Sequence, residues 1–85
     1  MKPFSENDFI IELKDMISSL TKIPREEISL DDELREDIGM DSMQSMELLS
    51  RISETWDVDV EIDEIMSVRT VADIVTFIKK IYQAA

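Results

Sequence analysis

Ser42 follows Asp41 at what reads as a helix start, and although such a pair is common and by itself nearly uninformative, its hydroxyl is the first group to weigh for chemistry. The surrounding residue types restrict that chemistry. The 85 residues include no histidine and no cysteine. A Ser-His-Asp or Cys-His site is therefore excluded, and the commonest zinc ligand is missing. No protein thiol or disulfide is available either. Acid–base work would fall to carboxylates and lysines, and no paired carboxylates stand beside an evident pocket, which disfavours a small carboxylate-dependent hydrolase. The run Asp57, Asp59, Glu61, Asp63 and Glu64 invites a calcium-loop reading. It lacks the central glycine and the ligand spacing of an EF-hand. A solvated acidic loop is the better account, and no metal site is assigned.

The elements that must position Ser42 read as helices. Phe9, Ile10, Leu13, Met16, Ile17 and Leu20 recur at helix spacing, which predicts helix one over about 6–21. Ser5 is its expected cap, with Asp8 at the capping-box position, and Pro24 stops any continuation. From Thr21 to Met40 apolar residues are too sparse for another full helix. Ile23, Ile28, Leu30, Leu34 and Ile38 read instead as anchors that hold a long ordered connection to the core. Gly39, the one glycine, closes it and suggests a backbone position with positive φ. Helix two is predicted from Ser42 to about Thr55 with Asp41 as N-cap. At 3.6 residues per turn, Met46, Leu48, Leu49, Ile52 and Trp56 are expected to form its core stripe. Met43 projects almost opposite, beside Glu47, Ser50, Arg51 and Glu54. A single-turn helix is expected near 63–67. Thr70 then caps a last helix, with Asp73 at its capping-box position. The apolar face of this helix is Val71, Ile74, Val75, Ile78 and Tyr82, and Lys79 and Lys80 suit its C-terminal dipole. No strand pattern, repeat or low-complexity tract is evident.

Length and composition bound the rest. One domain over 1–85 is expected, with about 60% of the unfolded surface buried on folding. Hydrophobic residues make up 44%, too many for a disordered acidic segment. No apolar run approaches the ~20 residues of a membrane span. The start Met1-Lys2-Pro3-Phe4 leads into acidic residues rather than the apolar stretch of a signal peptide. A cytoplasmic protein without membrane insertion is the expectation. The formal charge of −11 opposes nucleic-acid binding, which takes a basic patch to release counterions. It keeps a small monomer in solution and can also steer it onto basic patches of partner proteins.

The segment Glu36-Asp37-Ile38-Gly39-Met40-Asp41-Ser42-Met43, continued by Gln44-Ser45-Met46-Glu47-Leu48-Leu49, resembles the signature of the acyl carrier protein family. The resemblance continues in family order through helix one, the Glu-Leu pair of helix two, the Trp56-Asp57 step and the Thr70-Val71 helix start. It spans roughly 8–82. It implies an all-α four-helix bundle of acyl-carrier type, with a long loop between helices one and two and a short third helix. It also implies a carrier rather than an enzyme. Ser42 would hold a 4'-phosphopantetheine arm as a phosphodiester installed by a phosphopantetheinyl transferase, and acyl groups would ride on the arm as thioesters. Asp41 would serve as helix cap and in transferase recognition. Met43, Glu47, Ser50, Arg51 and Glu54 would meet acyl-loading and acyl-processing enzymes through their basic docking patches. The transferase does the chemistry at the serine, so a site without histidine is no contradiction. The working thiol belongs to the arm.

The segment also departs from the family pattern. Fatty-acid-synthesis carriers show Asp-Ser-Leu and a strongly acidic helix two. Here the triplet is Asp-Ser-Met, and Gln44, Ser50, Ser53, Thr55 and Arg51 dilute the acid. Val60-Glu61 replaces the usual Ile-Pro step. Fatty-acid synthesis, specialised lipid or secondary-metabolite synthesis, and aminoacyl or peptidyl (including D-alanyl) carriage all remain open as pathways. A non-catalytic acidic helical interaction module without cofactor is the reading from another class.

Overall fold

The computed structural model describes residues 5–61, 63–64 and 67–84, with side chains through Tyr82. Three α-helices occur among them: α1 (Glu6–Thr21), α2 (Ser42–Trp56) and α3 (Val71–Ala84), with a 3₁₀ turn at Arg25–Glu27. The architecture is all-helical, and an isolated antiparallel bridge between Glu33 and Thr70 is the β pairing among the described residues. The expected count of four helices is not reached there. The short helix expected near 63–67 falls partly on residues 65 and 66, outside the described residues. Asp63 and Glu64 are helical.

Local chemistry explains the helix starts. Ser5 Oγ accepts from the Asp8 N–H at 3.4 Å, one half of the expected box on α1. At α3 both halves form: Thr70 Oγ1 accepts from Asp73 N–H at 3.1 Å, and Asp73 Oδ2 accepts from Thr70 N–H at 3.1 Å. The Ser5 side chain thus takes one of the orphan donors at the start of α1, whereas all four at α3 find acceptors. At α3 the Val71 and Ala72 N–H groups donate to the Asp32 and Leu30 carbonyls.

The core is one cluster. Phe9, Leu13 and Ile17 come from α1, Leu48, Leu49 and Ile52 from α2, and Val71, Ile74, Val75 and Ile78 from α3. Burying each such side chain stabilises the fold by roughly 1.5–3 kcal/mol. The Phe9 and Trp56 rings meet edge-on at 4.5 Å. Tyr82 Oη donates to the Trp56 carbonyl at 3.0 Å, satisfying one of the acceptors that the end of α2 leaves open. Two expectations need correction. Met46 is not on the core stripe; it is 48% exposed. The centre of the stripe lies between Leu48 and Leu49, close to Ile52, and at 100° per residue Met46 falls about 110° from it. Lys79 and Lys80 do not stand at the C-terminal dipole of α3, because the helix continues to Ala84 and its last turn has no basic residue. Lys79 instead pairs with Glu6 at the start of α1, at 3.2 Å.

The chain from 22 to 41 is tied down by Ile28, Leu34, Ile38 and Met40, all buried. Ile23 and Leu30 pack half-buried against the same cluster. Met40, which the sequence reading left out of the anchors, is 2% exposed. Backbone bonds complete the attachment. Leu34 N–H donates to the Arg69 carbonyl at 2.8 Å, so the connection is held against the start of α3.

Candidate functional site

The turn before Ser42 is built from the residues preceding it. Asp37 Oδ2 accepts from Glu33 N–H at 2.7 Å. Asp37 and Ile38 N–H both donate to the Glu33 carbonyl, and Met40 N–H donates to the Leu34 carbonyl at 2.8 Å. To close that turn the backbone enters the left-handed region at Gly39, with φ 81°. A Cβ built on Gly39 would meet nothing within 4 Å, so glycine is required there by conformation and not by space. Buried Ile38 and Met40 flank it and lock the approach to α2.

Asp41 caps α2, as its place in the sequence predicts. Its Oδ1 accepts from Gln44 N–H at 2.8 Å, and Gln44 Oε1 accepts from Asp41 N–H at 3.3 Å. The Gln44 Nε2 also donates to the Leu20 carbonyl at 3.1 Å. One side chain thus completes a capping box and joins the start of α2 to the end of α1. The sequence reading took Gln44 only as a dilution of acidity. Its position three residues after Asp41 was the available signal for half of this role, whereas the reach to Leu20 had none.

Ser42 occupies the first turn of α2 and is exposed. Arg35 Nη2 donates to its Oγ at 3.4 Å, a long contact to a neutral hydroxyl. No side chain among the described residues accepts the hydroxyl proton of Ser42, and the Oδ1 of Asp41 is engaged by Gln44. The chain therefore presents a reachable hydroxyl that it does not itself activate. Such a group reacts only where another molecule supplies the base. The N–H groups of Ser42 and Met43 carry no hydrogen bond within the described residues, so a negative group on Ser42 would find donors and the positive end of the helix dipole.

The expected docking residues line the outer face of α2. Met43 is 80% exposed, and Glu47, Ser50 and Glu54 are also exposed. Arg51 is half-buried and divides its guanidinium between Glu47, at 3.3 Å, and Ser19 Oγ, at 3.5 Å. Met46 adds a second exposed methionine on the side toward Ser42. Beside the serine, a cleft of about 260 Å³ opens between the connection, α2 and the approach to α3. Its floor is Leu34, Leu48, Val68 and Ile74, and Arg35 and Arg69 stand at its rim. Among the described residues no three acidic side chains group to hold a metal ion.

The site is thus an exposed, unactivated serine at a capped helix start, approached through a glycine turn. Residues 12–78 match the family described as "Phosphopantetheine attachment site". An acyl carrier protein of Rickettsia bellii is 40% identical over 55 residues, covering 65% of this chain and 64% of that one. The acyl carrier protein of Aster yellows witches'-broom phytoplasma is 30% identical over 69 residues, covering 81% of this chain and 91% of its own. A solved structure from Mycobacterium tuberculosis, assigned as an acyl carrier protein, superposes with a TM-score of 0.74 at 20% identity and covers 88% of this chain and 96% of that one. That likeness bears on the fold. The chain belongs to the phosphopantetheine-attachment family of acyl carrier proteins, whose members carry 4'-phosphopantetheine and are not catalysts.

Proposed function

We propose that Ser42 is the attachment point and that the chain shuttles acyl groups between partner enzymes. The observation that supports this most is the exposed Ser42 Oγ at the start of α2, inside the matched span 12–78. In this reading a phosphopantetheinyl transferase takes the hydroxyl proton, Ser42 Oγ bonds to phosphorus, and the nucleotide part of coenzyme A leaves. The bound arm supplies a terminal thiol that holds the cargo as a thioester. The chain's own contributions are to fix Ser42 rigidly, through the Asp41–Gln44 box and the Gln44–Leu20 tie, and to offer a docking face at Met43, Glu47, Ser50, Arg51 and Glu54. The residues fit the group: the hydroxyl is exposed, two N–H donors are open beside it, and no side chain obstructs it.

The same reading takes Asp63 and Glu64 as part of the short helix of a four-helix bundle, within one domain over 1–85 that acts as a cytoplasmic monomer. No helix among the described residues is long and apolar enough to cross a membrane. As cargo, a specialised acyl or an aminoacyl group is favoured over primary fatty-acid synthesis. The ion pair of Arg51 with Glu47 offsets one of the two acidic side chains left on the docking face, weakening the anionic surface that basic patches would read.

The test is incubation with coenzyme A and a phosphopantetheinyl transferase, followed by intact mass. A gain of one phosphopantetheine that disappears in Ser42→Ala supports the assignment. A gain that survives Ser42→Ala refutes Ser42 as the attachment point, and no gain at all refutes the carrier reading and leaves the cofactor-free interaction module.

A further inference from the structure

The chain has four arginines among 85 residues. Three are ion-paired with carboxylates: Arg25 with Asp15 at 3.1 Å, Arg51 with Glu47 at 3.3 Å, and Arg69 with Glu33 at 3.0 Å. Arg35 is the exception among the described residues. In a protein of formal charge −11 it makes no salt bridge and donates instead to the neutral Ser42 Oγ at 3.4 Å. Three of the nearby acids are occupied elsewhere, and Glu36, which lines the same cleft, forms no ion pair with Arg35. Asp37 accepts from Glu33 N–H, Glu33 pairs with Arg69, and Asp41 accepts from Gln44 N–H. The guanidinium is thus kept beside the serine with no competing carboxylate bound to it.

We propose that Arg35 is the phosphate-holding residue of this carrier, a cation placed to bind the phosphodiester formed on Ser42. The inference rests on the reading that Ser42 carries the arm. A phosphorus bonded to Oγ sets its non-bridging oxygens two bonds from that atom, within reach of the Arg35 fork. The long contact to a neutral hydroxyl then becomes a shorter, charge-assisted one. A planar guanidinium suits a phosphate better than an ammonium because two N–H groups can serve two oxygens. The added negative charge would otherwise stand beside the carboxylate of Asp41. Arg35 also stands at the mouth of the cleft lined by Leu34, Leu48 and Ile74. Holding the phosphate there fixes the root of the arm next to that opening.

The test uses the full chain, loaded at Ser42 from coenzyme A by a transferase, with loading checked by intact mass. Two signals are read in the wild type: the phosphorus-31 resonance of the phosphodiester, native and in urea, and the Arg35 Nε–H resonance before and after loading. The same phosphorus measurement is made on Arg35→Gln and Arg35→Lys. Loading is expected to shift the Arg35 Nε–H resonance, and folding is expected to displace the phosphorus resonance from its value in urea. That displacement should largely vanish in Arg35→Gln and return in part in Arg35→Lys. It should also shrink from about 0.1 M to about 1 M salt, as the Debye length contracts from ~10 Å to ~3 Å. An unmoved Arg35 resonance in the loaded wild type overturns the proposal while the Ser42 assignment stands, and this holds even if a variant resists loading. A phosphorus resonance equal in wild type and Arg35→Gln overturns it too. Failure of the wild type to load at Ser42 overturns both readings.

Discussion

Replacing Asp73 by alanine removes the acceptor for two backbone donors at once, because its Oδ2 takes the Arg69 N–H at 3.0 Å and the Thr70 N–H at 3.1 Å. The other half of the box, Thr70 Oγ1 accepting from the N–H of residue 73, survives the substitution. The freed donors lie at the surface and can turn to water, so the cost stays in the range of a helix cap, about 1–2 kcal/mol. In a domain of this size that lowers the thermal midpoint by roughly 4–16 °C. Asparagine keeps an acceptor and should lose less. The pH dependence gives a second, sharper check. Hydrogen bonds from the Arg69 and Thr70 backbone hold the Asp73 carboxyl below its ordinary value of 3.8. A carboxylate with a depressed folded pKa contributes stability that is fully present above the unfolded value and is lost as pH falls through the folded one. The gap in stability between wild type and Asp73→Asn should therefore be constant near neutrality and narrow below about pH 4. Urea unfolding of both proteins at stepped pH measures it, and the other acidic side chains cancel in the difference. A gap that widens on acidification, or an Asp73→Ala midpoint equal to that of wild type, would refute the reasoning.

Gly39→Ala should cost about 1–2 kcal/mol, the penalty of a left-handed backbone for an L-residue, although a Cβ would meet no neighbour; an unchanged urea midpoint contradicts this. On the proposed docking face, Met43→Ala and Glu47→Lys should slow acyl transfer to cognate enzymes by about one to two decades in association rate, with melting temperatures near that of wild type because both side chains are exposed. Transfer rates unchanged with every cognate enzyme would remove α2 as the docking surface.

How far the sequence could be read depends on the range of each interaction. The bounds of α1 and α2, the caps Asp41 and Thr70–Asp73, the positive φ of Gly39 and the exposure of Met43 all follow from neighbours within a turn or two. Periodicity and capping chemistry report such neighbours directly. The Met46 expectation failed within that same range. An apolar residue one position off the stripe was counted into it, although its angle from the stripe's centre already pointed outward. Met40 was missed for the opposite reason, since it is buried in the core cluster from the connection, outside any helical repeat.

Ser42 and its setting at a capped helix start were thus determined by the sequence alone, because a cap, a glycine and a helix start are local. The tertiary structure decided what surrounds that serine. Gln44 reaches Leu20, twenty-four positions away. Lys79 crosses to Glu6, Arg51 to Ser19, and Arg35 folds back across the glycine turn to Ser42. Which charge meets which group depends on how the connection packs between the helices, and no spacing along the chain encodes it.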